Sequence, residues 1–245
     1  MKVSCIIPAF NEKRTIRQII KSIKKVKGID EIIVVDDGST DSTYKYAKSI
    51  GVKIIKHGTN KGKGAAIKTG LTHSSGDIIL FLDADITRLN HLKISKMINI
   101  LRSKKAEVVI GTYNANCYQT FTELVYKPLM SLLFPEVISN IKCGHLSGER
   151  GFLKSVINRL QLRDGFDLET AMNIELTFMK PSPKIAFVSI GNLMLRPKGY
   201  QNSMEVIAYS IIGFAKKYNR INRLDSSSFV KVSKLLYDSV RSVKA

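Results

Sequence analysis

The sequence predicts an α/β fold, a mostly parallel sheet flanked by helices, with C-terminal amphipathic helices appended. Three observations lead there. Strand-like and helix-like stretches alternate through the first half, the order that builds βαβ units. The strand candidates, such as EIIVV at 31–35 and IILFL at 78–82, are continuous apolar runs of the kind buried on both faces of a parallel sheet. With 245 residues, 44% hydrophobic and 24% charged, the chain suits one large core.

Taken in order, residues 2–7 read as the first strand, broken by 8–11, and residues 12–25 place Ile16, Ile19, Ile20 and Ile23 at helical spacing. A strand over 31–35 ends at Asp36, and a short helix over 41–50 leads to a strand at 52–55. Glycines open a helix over 63–72, and the next strand covers 78–82. A helix over 92–101 puts Leu92, Met97, Ile98 and Leu101 toward the core, before a strand at 106–111. Beyond that the alternation weakens. Residues 123–138 look helical but contain Pro128 and Pro135, which break or kink a helix, and 185–190 reads as a late strand. Two amphipathic segments close the chain, one with Ile207, Ile211, Phe214 and Tyr218, the other with Phe229, Val232, Leu236, Val240 and Val243. The expected division is an α/β domain over 1–199 and a basic helical tail over 200–245.

No apolar run approaches the ~20 residues that a membrane-spanning helix needs. The N-terminus, MKVSCIIPAFNE, reads as a strand rather than a signal peptide, and Cys5, Cys117 and Cys143 have neither disulfide nor zinc spacing. A cytoplasmic location is expected. A formal charge of +19 suits nucleic acid, an anionic membrane surface or phosphorylated substrates. The charge is spread along the chain, with no helix-turn-helix, zinc-finger or RNP motif, which argues against nucleic acid. From residue 200 onward, eight Lys or Arg face three acids, a composition compatible with peripheral contact to an anionic membrane.

Ligands of open α/β sheets bind at the carboxyl ends of strands. Four successive strand ends here carry polar clusters: PAFNE (8–12), DDGSTD (36–41), HGTNKGKG (57–64) and DAD (83–85). Each has a plain reading as turn or helix cap. The glycine loop matches neither common phosphate-binding pattern, but its glycines allow amides to approach a phosphate while Lys61 or Lys63 supplies charge. Asp83 and Asp85 are harder to dismiss. On an extended segment, alternate carboxylates point the same way, and two like charges held close repel, raise a pKa or require a cation. Mg2+ or Mn2+ with oxygen ligands satisfies them and can bridge to a diphosphate.

Together IIPAFNE, VVDDGSTD, NKGKGAAIKTG and ILFLDAD resemble, in order, the signature segments of family 2 glycosyltransferases with a GT-A nucleotide-sugar-binding fold. The resemblance implies a nucleoside-diphosphate-sugar donor, UDP- or GDP-linked, with Pro8, Phe10 and Glu12 near base and ribose and Asp37 on the nucleoside. It sets Lys63 near the diphosphate and makes Asp83 and Asp85 a DxD motif for the metal. The absence of G-x-G-x-x-G after the first strand disfavours a dinucleotide-dependent oxidoreductase; a non-catalytic basic binding module is the remaining rival.

The acceptor is read from the second half. Ser147, Gly148 and Arg150, followed by Phe166-Asp167-Leu168-Glu169, resemble the branch that glycosylates polyprenyl phosphates. Gly144 and Glu149 depart from that branch, and the S-G-E segment resembles glucosyl-3-phosphoglycerate synthases instead. Both acceptors are phosphorylated, and the polyprenyl type is the main expectation. Arg150, with Arg196 and Lys198, is the expected anion clamp. Of the acids in FDLE, Asp167 is assigned the chemistry and Glu169 either shares it or caps the following helix. His57, His73 and His91 are expected on the surface, and His145 either joins the metal or bonds within a loop.

Overall fold

The computed structural model describes residues 1–86, 89–114, 122–141, 146–192 and 201–221. In chain order, β1 (Val3–Ala9), α1 (Ile16–Ile23), β2 (Glu31–Asp36), α2 (Thr43–Lys48), β3 (Lys53–Lys56), α3 (Lys63–Thr72), β4 (Ile78–Phe81), α4 (His91–Arg102) and β5 (Val108–Asn114) alternate. The second half adds a π-helical turn (Thr122–Tyr126), α5 (Lys127–Leu133), α6 (Pro135–Asn140), β6 (Arg150–Leu153), α7 (Lys154–Ile157), α8 (Leu168–Phe178), β7 (Ile185–Asn192) and α9 (Gln201–Lys217).

The seven strands form one sheet in the order β3-β2-β1-β4-β6-β5-β7. β6 runs antiparallel to both of its neighbours, and every other pairing is parallel. β2 and β3 extend the sheet to one side of β1 while β4 lies on the other, so strand order reverses at the β1/β4 boundary, where ligands of such sheets bind.

Helices cover both faces, which is why β4 is apolar throughout and the middles of β1 and β2 are continuous apolar runs. On one face Ile16, Ile19, Ile20 and Ile23 of α1 pack with Ile94, Met97, Ile98 and Leu101 of α4. Each such side chain contributes roughly 1.5–3 kcal/mol by leaving water. On the other face, Ile67 of α3 joins Leu129, Met130 and Leu133 of α5, Met172 and Ile174 of α8, and Ile207, Ile211 and Phe214 of α9. The first amphipathic segment of the predicted tail is thus built into the domain core, and the second lies outside the described residues.

Several boundaries differ from the sequence reading, each for a local reason. β1 continues through Pro8, because β4 ends opposite Ile6 and the missing N–H of Pro8 costs no ladder bond on that side. α1 starts at Ile16, since the Thr15 and Ile16 amides bond to the Glu12 carbonyl in a turn that precedes it. Leu92 is 83% exposed, and Ile94 takes its place on the buried stripe of α4. Pro128 and Pro135 each stand in the first turn of a helix, where no N–H is needed, so they divide the segment into α5 and α6. β6, absent from the reading, is four residues long and carries a buried arginine and a glycine.

Candidate active site

The ends of β1, β2 and β4 and the start of α3 surround a cavity of about 440 Å³. Pro8, Phe10, Glu12, Asp37, Lys63, Asp83 and Asp85 all line it. The seven residues that the sequence assigned to donor and metal are therefore together. Phe166, 40% exposed, adds an apolar wall across from the strands.

Side-chain bonds stitch the first two motifs together. The Asn11 amide donates to Ser39 Oγ at 2.9 Å, Thr40 N–H donates to Asn11 Oδ1 at 3.0 Å, and Glu12 N–H donates to Thr43 Oγ1 at 2.8 Å. Gly38 has φ 76°, and a Cβ there would sit 2.4 Å from the Thr59 carbonyl carbon, so the third motif presses directly on the second. The glycines of NKGKG serve packing. A Cβ on Gly62 would meet the Asp164 carbonyl oxygen at 2.4 Å, and one on Gly64 the Arg163 oxygen at 1.7 Å. This seats the start of α3 against residues 163–165 and carries Lys63 inward. The amides of Lys61 and Gly62 donate to Asp37, rather than standing open for a phosphate.

Lys63 is the hub of the charges. Its Nζ lies 2.7 Å from Asp83 Oδ1 and 2.7 Å from Glu169 Oε1. Burial alone would depress the Lys63 ammonium, but Asp83 and Glu169 outweigh it and hold the group above its ordinary value. Burial raises the Asp83 carboxyl; Lys63 opposes that shift, and Asp85 and Glu169 add to it. Glu149, 3% exposed, is pushed up to about 7 by burial and by Asp83, while Ser147 Oγ–H donates to its Oε2 at 2.9 Å.

Residues Asp83 to Asp85 follow β4 in a turn, so their convergence on the cavity comes from that turn and not from strand alternation. The donor set suits a divalent cation: crowded carboxylates bearing excess negative charge, one neutralised by Lys63. Gly148 leaves the required room, because a Cβ there would lie 2.3 Å from Asp83 Oδ2 and 2.7 Å from Lys63 Nζ. Among the described residues no group of three or more His, Cys, Asp and Glu has metal-binding geometry. A hard cation held by Asp83 and Asp85 would keep further coordination positions for phosphate oxygens and water.

The acceptor-side assignments fare differently. Asp167 occupies the N-cap of α8, 5% exposed, with Arg163 Nε 3.1 Å from its Oδ2. Glu169, two residues further, reaches the Lys63–Asp83 pair. The acid at the cluster is therefore Glu169, and Asp167 turns to Arg163. Arg150 is fully buried: Nε donates to the Ser147 carbonyl at 2.8 Å, Nη1 donates to Asn173 Oδ1 at 2.7 Å, and Nη2 has no hydrogen-bond partner. It does not line the cavity, nor does it pair with Glu149 or Asp164. His57 is buried and bonded to Asp37, contrary to the surface position expected of it. His145, Arg196 and Lys198 lie outside the described residues. Sequence reasoning missed Phe166 and Glu149 as site residues. The first stood inside the quoted FDLE motif, and the second was noted only as a departure from one.

A doubly wound sheet that gathers four acids and a lysine around one cavity at its switch point has the architecture of an enzyme for phosphate-bearing donors. Residues 4–163 match the family described as glycosyl transferase family 2, and the chain belongs to that family. Glucosyl-3-phosphoglycerate synthase from Mycolicibacterium smegmatis is 28% identical over 209 residues, 77% of this chain and 68% of that protein. The Mycobacterium tuberculosis counterpart is covered over 65% of its length, so the chain spans about two thirds of these curated relatives. A dolichol-phosphate mannosyltransferase from Pyrococcus furiosus is 33% identical over 118 residues, 46% of this chain and 33% of that one. Among solved structures, the M. tuberculosis glucosyl-3-phosphoglycerate synthase in complex with Mg2+ and UDP has a TM-score of 0.77 at 28% identity, covering 92% of this chain and 81% of that one. The same enzyme with Mn2+, UDP and phosphoglyceric acid has a TM-score of 0.76 at 28% identity, covering 92% and 80%. The GT-A-type α/β fold expected from the sequence is the observed one.

Proposed function

We propose that the protein transfers a hexose from a uridine-diphosphate sugar to a small, soluble, phosphorylated acceptor of the phosphoglycerate type, using Mg2+ or Mn2+. The observation that carries this reading is the Lys63 ammonium bridging Asp83 and Glu169 on the wall of the strand-end cavity. Cleaving a sugar–diphosphate bond builds negative charge on the departing nucleotide, and catalysis requires positive charge where it forms. Asp83 and Asp85 would hold the cation, which when bound neutralises the diphosphate. Lys63 supplies a second, permanent charge on the same wall. Glu169 keeps that ammonium in place, and Phe10 and Phe166 frame the cavity with apolar surface that excludes water from the reacting sugar.

The small acceptor is supported by a likeness extending over 77% of the chain. The polyprenyl phosphate favoured by the sequence patterns is the second reading, supported by a likeness over 46%. Among the described residues no helix is long and apolar enough to cross a membrane.

Two measurements test the proposal. UDP with Mn2+ should raise the unfolding temperature, since a ligand that binds only the native state stabilises it. Labelled UDP-hexose should then be offered with 3-phosphoglycerate or with polyprenyl phosphate. Water-soluble product is expected; label extracted into organic solvent would transfer the case to the lipid acceptor, and no protection by any nucleotide would end the transferase reading.

A further inference from the structure

Beside the donor cavity, a chain of polar groups runs from half-buried Thr69 on α3 to the buried His57 and Asp37. Thr69 Oγ1 lies 2.9 Å from His57 Nε2, and His57 Nδ1 lies 2.6 Å from Asp37 Oδ1. The same Oδ1 accepts the Lys61 N–H at 3.0 Å, and Oδ2 accepts the Gly62 N–H at 2.8 Å. His57 is 8% exposed and Asp37 3%. An ionised carboxylate only accepts, so Nδ1 carries a proton in either charge state of the ring, and Thr69 completes the other edge as donor or acceptor. Each carboxylate oxygen has two acceptor positions. On Oδ1 both are filled, and on Oδ2 one remains.

We infer that His57 is a positioning residue that sets the nucleotide-base selectivity of this enzyme. By engaging Oδ1, it leaves Asp37 a single open acceptor at the cavity wall. That suits a base edge offering one N–H, such as the imide of uracil, and leaves unmatched the paired N–H donors of guanine. An unmatched buried donor is worth roughly 5- to 150-fold in affinity. The loop that carries His57 is fixed independently, by Gly38 against Thr59 and by Gly62 against Asp164. Removing the imidazole therefore opens Oδ1 without dismantling the loop. This inference rests on the cavity being a nucleoside-diphosphate-sugar site.

The test measures dissociation constants of UDP and GDP, each with Mn2+, for the unmodified protein, His57→Phe and His57→Asn. Both nucleotides share diphosphate and metal, so their ratio isolates the base. The unmodified protein should favour UDP by at least about tenfold, the Phe variant should narrow that ratio to within a few-fold, and the Asn variant, whose amide N–H can donate to Oδ1, should restore much of it. A Phe variant in which both affinities fall by the same factor would reduce His57 to scaffolding and overturn the inference. Preference of the unmodified protein for GDP would overturn it while leaving the donor class intact; binding of neither nucleotide would overturn both. If the Phe variant does not fold by circular dichroism, His57→Leu gives the same readout. It too removes the ring N–H from Oδ1 and should narrow the ratio to within a few-fold, and an unchanged ratio there equally counts against His57.

Discussion

Two parts of the sheet's carboxyl edge each hold a cation, one half-buried and one fully buried, and the two sit in opposite company. Lys63, at the β1–β4 side, touches two carboxylates and faces the cavity. Arg150, on β6, touches a backbone carbonyl and an amide, and among the described residues one of its amino groups has no partner and no acid pairs with it. A lysine between acids is a movable charge, able to trade a carboxylate for a diphosphate. An arginine sealed among neutral acceptors is a structural member that ties β6 to α8. The lesson is that a cation type and its place in a motif do not distinguish these roles; the company it keeps does.

The largest effect that sharpens this contrast is on the cavity side. Asp85→Asn keeps the shape and removes one charge, and should lower metal-dependent transfer by at least ~100-fold with an unchanged circular dichroism spectrum. Retained activity would remove Asp85 from the metal site. Lys63→Met comes next. It leaves Asp83 and Glu169 facing each other, which should destabilise the free protein by about 3–5 kcal/mol. Because a divalent cation can replace the lost charge, Mn2+ should recover more stability in this variant than in the unmodified protein, as calorimetry would show.

Arg150→Met should cost a smaller ~1–3 kcal/mol, by leaving Asn173 Oδ1 and the Ser147 carbonyl unpaired, while KM for the phosphorylated acceptor stays within about twofold. A tenfold rise in that KM would instead return Arg150 to the acceptor clamp.

The last effect, confined to a pH window, concerns Glu149. Its carboxyl, pushed up to about 7 in the folded protein against an ordinary 4.5, binds its proton more tightly when native. Its contribution to stability is therefore fully present below about 4.5 and is lost as pH rises through about 7, on the order of 3 kcal/mol in total. In the metal-free protein, Glu149→Gln should flatten the fall in unfolding temperature over that window. An identical slope in both proteins would show that the carboxyl does not hold the proton.

The same division explains what was legible beforehand. The donor side could be read from the chain because parallel strands deliver their following residues to one edge, so PAFNE, DDGSTD and DAD had to meet once the alternation was recognised. The acceptor side depends on β6, a four-residue strand with no periodic signature, and on the direction of α8. A helix-capping position and a site position lie two residues apart in FDLE, and only packing decides which acid turns where. His57 was expected on the surface because its partner, Asp37, is 20 residues away and leaves no local sign in the sequence.

By itself, then, the sequence determined the doubly wound sheet, its strand-end cavity and the Asp83–Asp85 pair, because apolar periodicity and the parallel crossover rule leave few alternatives. Tertiary structure decided the rest. Whether Arg150 is presented or sealed, whether Asp167 or Glu169 meets Lys63, and why Gly62, Gly64 and Gly148 lack side chains all depend on contacts of 2–3 Å between segments far apart in the chain. Such contacts leave no local pattern, since a buried charge is defined by neighbours that the chain brings together only after it has folded.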